Sequence, residues 1–270
     1  MTGFLEIHRG EAPLIVSMPH TGLEIPVEIE RRMVSPWLAR KDADWWIEKL
    51  YGFASALGAT TIRTRISRSV IDVNRDPSGK SLYPGQATTD LCPAETFDGE
   101  PLYRGTPPDA REIAERRSGY FDPYHAALQA EIERLKARHP VIVLYEAHSI
   151  RSRVPRLFDG TLPNFNIGTN SGASCAMALS GAVAEVCGQS GLTHVVNGRF
   201  KGGWTTRHYG KPEAGVHSIQ MELACRGYMD EPEEPDESNW PSPYRESRAA
   251  DLRALLERVL QSCLNFASES

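Results

Sequence analysis

Two apolar runs, each leading to a histidine, constrain this chain more than any other feature. LIVSM at 14–18 runs into Pro19 and His20, and VIVLY at 141–145 runs into Glu146, Ala147 and His148. Runs of this length, rich in branched side chains, fit strands covered on both faces. Elsewhere the spacing is helical. Trp46, Leu50, Phe53 and Leu57 recur on one face, with Gly58 placed to end the last turn, so 44–57 is predicted as an amphipathic helix. The stretch 60–73, with TTIRTRIS and SVIDV, predicts one or two strands, and 110–138 a helix that stops before Pro140. Residues 175–186 and 248–266 are predicted helices, 194–197 the start of a strand, and 217–225 a strand. Residues 77–108 and 230–243 have the composition of irregular chain, and the first is long enough to be a functional excursion.

Strands alternating with helices predict an α/β fold in three layers, a mostly parallel mixed sheet with helices on both faces. With 270 residues, 40% of them apolar, and no repeat or linker, a single domain over 1–270 is expected. Lys and Arg number 30 against 35 Asp and Glu, and the resulting charge of −5 argues against nucleic acid as a partner. No run approaches the roughly 20 apolar residues of a membrane span. The N-terminal segment lacks the apolar centre of a signal peptide. The five cysteines are scattered without a CxxC pair, so reduced thiols and a cytoplasmic location are expected.

In such folds the chemistry gathers at the C-terminal ends of strands. The polar residues expected there are His20, the segment Asp72 to Arg75, Glu146 with His148, and Glu222 within SIQMELA. One such histidine alone reads as a backbone-bonded cap. Two together, with acids nearby, point to a metal, because two histidines, a carboxylate and an open position make a catalytic zinc site. The carboxylate is either Glu24, in HTGLE, or Asp44, which would otherwise cap a helix. Glu146 shares the face of His148 if the strand extends that far, and suits a supporting role. Arg75 beside Asn74 fits bidentate recognition of a substrate carboxylate, and Asp72 is placed to steady an arginine such as Arg68. Two loops add cations: 149–156, with Arg151, Arg153 and Arg156, and the glycine-rich 197–210, with Arg207. A desolvated Glu222 would have the raised pKa of a general base, whereas on an edge strand it would face water. No GxSxG, HExxH or GxGxxG motif occurs.

Six segments, PHTGLEIP, SRSVIDVNRDP, SLYPGQATTDLCP, EAHSIRSRVPRLFDG, NGRFKGGWTTRHYG and HSIQMEL, together resemble the N-formylglutamate deformylase (N-formylglutamate amidohydrolase) family. The resemblance implies the phosphorylase/hydrolase-like α/β fold shared with zinc carboxypeptidases. It implies hydrolysis of N-formyl-L-glutamate to formate and L-glutamate, the last step of a histidine degradation route. It implies zinc, or another divalent metal, held by His20, Asp44 and His148, with Glu24 as the alternative acid. By the same resemblance Glu222 falls at the position of a late base. Arg68 falls nearest the oxyanion, Asn74 and Arg75 on one substrate carboxylate, and Arg207 or an arginine of 151–156 on the other. Two rival readings use the same residues: a deacylase of another N-acyl acidic amino acid, and a metal-free binding protein for an acidic amino acid.

Overall fold

Central strands buried along their whole length set the architecture. The computed structural model describes residues 3–269. Its strands are β1 (Leu5–His8), β2 (Leu14–Met18), β3 (Thr60–Thr64), β4 (Ile142–Ile150), β5 (Phe165–Gly168), β6 (His194–Val196) and β7 (Val216–Ala224). They form one sheet in the order β1-β3-β2-β4-β7-β5-β6. Its centre, β3, β2, β4 and β7, is parallel, while β1 joins β3 and β5 joins β7 antiparallel. The helices are α1 (Val27–Glu30), α2 (Ile47–Leu50), α3 (Ala110–Arg116), α4 (Asp122–Lys136), α5 (Met177–Gly188), α6 (Trp204–Tyr209) and α7 (Glu246–Glu269).

The sheet divides two cores. Val143, Tyr145 and Ala147 of β4 join Leu179 and Val183 of α5 and Leu256 and Leu260 of α7. Ile142 and Leu144 join Tyr124, Leu128 and Ile132 of α4 on the other side. Because strand side chains alternate, the face that carries Ile142 and Leu144 continues through Glu146 to His148. β7 repeats the pattern. Ile219, Met221 and Leu223 belong to the first core, so Ser218, Gln220 and Glu222 turn to the second face. The register sets Glu222 beside His148. The apolar half of each strand therefore anchors the sheet, and the polar half of the same face makes the floor of a cleft.

This is the predicted α/β arrangement, with local differences. The helix predicted over 44–57 is only α2 and a 3-10 stretch over Gly52–Leu57, because the chain before it is drawn into a tight turn at Trp46, φ 65°. The stretch 60–73 yields β3 alone, and 66–73 runs on as irregular chain whose Asp72 is buried, as is Asn74 just beyond it. A π-helical turn, Arg117–Phe121, separates α3 from α4. β4 extends to Ile150, so Glu146 and His148 lie within the strand rather than after it. The short strands β1 and β5 add to the predicted set, and α6 falls in the predicted loop 197–210.

His125 of α4 ties that helix to the irregular segment. Its Nε2 lies 2.8 Å from the Val73 carbonyl and its Nδ1 3.1 Å from the Tyr209 hydroxyl on α6. Burial pushes its pKa down to about 3. A histidine depressed in the folded state contributes fully above its unfolded value near 6.5 and loses that contribution as pH falls towards the folded one. At pH 4.5 this linkage is expected to cost about 2–3 kcal/mol. His125→Gln, which keeps a donor and an acceptor, should lose less of its urea midpoint between pH 7 and 4.5 than the wild type. An equal loss would clear His125 of the acid sensitivity.

Candidate active site

His20 follows β2 and His148 lies near the end of β4, so the parallel pairing of these strands brings the two rings to 4.8 Å between centroids. Asp44 reaches them through its backbone, whose N–H donates to the His20 carbonyl at 3.0 Å. Trp46, two residues on, adopts a left-handed conformation that bulky residues rarely take, and its indole N–H donates to the Ser242 carbonyl at 2.9 Å. Asp44 Oδ2 lies 3.0 Å from His148 Nδ1 and 3.6 Å from His20 Nδ1. Ligand atoms of the three buried side chains all lie within 4.8 Å of one another. The outer nitrogens are engaged too. His20 Nε2 is 2.7 Å from Asp72 Oδ1, and His148 Nε2 is 3.1 Å from Asn74 Nδ2 and 3.5 Å from Glu146 Oε2.

The cluster calls for positive charge at its centre. Burial would raise the Asp44 carboxyl, but the two histidines outweigh it and hold the group well below the usual range. Burial likewise opposes a charged His148, yet Asp44 and Glu146 raise it to about 10. Asp44 Oδ1 and both Glu146 oxygens are buried without a hydrogen-bond partner. The donor set and these orphaned oxygens fit a divalent cation held by His20, Asp44 and His148. The Nε2 of His20 faces the Asp72 carboxylate, and that of His148 faces Asn74 Nδ2 with Glu146 Oε2 just beyond, contacts that fix the orientation of both rings. Glu24 stands elsewhere, half-exposed and paired with Arg65 Nε at 2.7 Å.

Around this cluster lies a cavity with His20, His148, Arg68, Arg75 and Glu222 in its wall. Arg68 donates to Asp72 Oδ2 at 2.7 Å, has its Nη1 3.5 Å from Asp44 Oδ1, and sits 4.7 Å over the Phe97 ring. Arg75 is braced by Thr89, through the carbonyl at 3.0 Å and the hydroxyl at 2.9 Å. Asn74 is locked by α6, whose Thr205 N–H donates to its Oδ1 at 2.9 Å. Gly203 is required there, since a Cβ would come within 2.3 Å of the Asn74 amide. Glu222 is on a central strand, not an edge. Burial raises its pKa to about 7 against the opposing pull of His148.

Arg207 does not line the cavity. It lies on α6 behind the Tyr83 ring, 5.0 Å from its centroid, and donates to the Gly202 carbonyl at 2.9 Å. The arginines of 151–156 are also engaged elsewhere: Arg151 with Asp98 at 2.6 Å, Arg153 with Thr161 at 3.1 Å, and Arg156 with Glu95 and the Thr96 carbonyl. Of the arginines in these two loops, Arg199 lines the cavity, while the sequence singles out Arg207 eight residues on in the same loop. Tyr83 and Gln220 also line it without having been singled out. Tyr83 sits in the long excursion predicted to be functional, and Gln220 shares the face of Glu222 two residues on, so both had a signal in spacing.

Residues 12–229 match the profile of the family described as N-formylglutamate amidohydrolase. The chain belongs to that family. Within the N-formylglutamate amidohydrolases it is 45% identical to the N-formylglutamate deformylase of Pseudomonas aeruginosa, over 100% of this chain and 99% of that protein. It is 43% identical to the N-formylglutamate deformylase of Pseudomonas putida, over 100% of this chain and 98% of that protein. The solved N-formylglutamate amidohydrolase of Ralstonia eutropha JMP134 has the same fold, with a TM-score of 0.80, 22% identity and 98% of each chain covered.

Proposed function

We propose that this chain hydrolyses N-formyl-L-glutamate to formate and L-glutamate with a divalent metal, zinc first among the candidates. One observation carries the reading: His20, His148 and Glu222 line one cavity in a chain 45% identical over its whole length to a protein named N-formylglutamate deformylase. His20, Asp44 and His148 would hold the metal, which when bound supplies a Lewis acid for the formyl carbonyl and lowers the pKa of a water to about 7. Glu222 accepts the proton of the attacking water. As the oxygen–carbon bond forms, Arg68 donates to the oxygen that gains charge. Glu222 then returns the proton to the amide nitrogen while the carbon–nitrogen bond breaks, releasing formate and the free amine of glutamate. Asn74 and Arg75 hold one substrate carboxylate. The step would close a histidine degradation route. The seven-stranded sheet supports reading the chain as one domain, and five buried free cysteines suit a cytoplasmic enzyme. No helix of the described residues is long and apolar enough to cross a membrane.

Formate release from N-formyl-L-glutamate tests this, using protein as purified, chelator-stripped protein, and stripped protein resupplied with zinc. Stripping should lower the rate at least about 100-fold, and zinc should restore it. Full activity in protein shown to contain no metal would remove the ligand roles of His20, Asp44 and His148. No formate from metal-loaded protein would move the substrate to another N-acyl acidic amino acid.

A further inference from the structure

N-formyl-L-glutamate carries two carboxylates, and Asn74 with Arg75 accounts for one. We propose that Arg199 binds the other, the side-chain carboxylate, and so sets the preference for acidic N-formyl amino acids. This assignment rests on the reading above and adds a specificity-determining residue to it.

Arg199 reaches the cavity wall in a fixed pose. Its Nε donates to the Leu157 carbonyl at 2.7 Å and its Nη2 to the Ala87 carbonyl at 2.9 Å. Its guanidinium carbon lies 5.2 Å from the Tyr83 ring centroid and 5.4 Å from that of Phe200. Those contacts leave Nη1 and one N–H of Nη2 without an acceptor among the described residues. No carboxylate of the described residues pairs with Arg199, and Glu222 acts on it only from a distance. The other arginines are committed: Arg68 to Asp72, and Arg207 to Gly202 behind Tyr83. Burial presses the Arg199 pKa down, and the charge of Arg75 adds to that pressure. Arg75 has Asp72 Oδ2 3.7 Å from its Nε, whereas Arg199 has no paired carboxylate among the described residues, so an anionic group of a ligand would supply the partner that Arg199 lacks. The wall also includes Ile150, Leu157 and Ala87, which suits the methylene chain of a glutamyl group.

The rival account makes Arg199 a clamp that ties the backbone at Leu157 to that at Ala87. Comparing N-formyl-L-glutamate with N-formyl-L-glutamine separates the two, because the substrates match in shape and differ in charge. In Arg199→Met the ratio of kcat/KM between them should fall about 100-fold or more, chiefly through KM for the glutamate substrate. Arg199→Lys should recover part of that ratio. A clamp would lower both substrates alike, and an unchanged ratio overturns the assignment. Calorimetry with L-glutamate and L-glutamine gives a second readout, in which the wild type should prefer L-glutamate and Arg199→Met should not. Formate-negative wild type would sink the proposed reaction, and the calorimetric preference would still decide Arg199. Formate-positive wild type with an unchanged ratio in Arg199→Met would sink only Arg199.

Discussion

Glu222→Gln is expected to lose about 10³-fold in kcat while retaining its fold and its metal. The side chain lies on β7, between β4 and β5, in register with His148. Gln220 donates to its Oε2 at 3.3 Å, which leaves the other oxygen free to take a proton. Glutamine keeps the size and hydrogen bonding of the group but cannot act as a base. Stability should move the opposite way. A carboxylate raised from 4.5 to about 7 in the folded state contributes below its unfolded value and loses that contribution as pH rises through 7. Above pH 7 the neutral variant should therefore melt no lower than the wild type. For catalysis the sign reverses, since only the ionised group can accept a proton. The kcat/KM of the wild type should fall as pH drops through about 7, and a bound cation nearby moves that limb lower. The measurements are kcat, metal content and melting temperature at pH 8. Wild-type turnover in Glu222→Gln would take this residue out of the chemistry.

The parts of the site that sequence makes visible share one property: each sits where an apolar strand face turns polar. His148 and Glu222 are reached by counting in twos from Leu144 and Val216, and His20 follows β2 directly. Asp44 is visible only as one of two acids. Its place depends on a bond to the His20 carbonyl and on the Trp46 turn, both long-range or strained features that no local period encodes. Arg199 and Arg207 are eight residues apart in one glycine-rich stretch, and composition does not say which reaches the cavity. The turn at Gly203 decides it by starting α6, which carries Arg207 behind Tyr83. β1 and β5, four residues each, are too short to show a period of two. β5 nevertheless matters, because it covers the outer edge of β7 and makes Glu222 a buried carboxylate rather than a solvated one.

Asp44→Asn is expected to have the largest effect on the metal itself. Of the two candidate acids, Asp44 has an oxygen within 3.6 Å of Nδ1 on both histidines, whereas Glu24 is paired with Arg65 at the surface. Asparagine preserves the shape and removes the charge that holds two imidazoles and Arg68 around one point. A cation there would then meet two neutral histidines without the anion that offsets its loss of water, and zinc affinity should fall by more than the roughly 10–100-fold typical of losing an outer-shell partner. Activity at limiting zinc should fall at least about 10³-fold. The direct readouts are zinc stoichiometry after dialysis and the visible absorption of cobalt-loaded protein, neither of which depends on turnover. Removing the Asp44 charge also leaves Arg68 and His148 with one fewer buried partner, so the metal-free variant should melt below the wild type. Glu24→Gln is the control for the rival acid and should keep one zinc per chain. Zinc retained in Asp44→Asn and lost in Glu24→Gln would reverse the assignment, and zinc retained in both would place the metal away from this aspartate altogether.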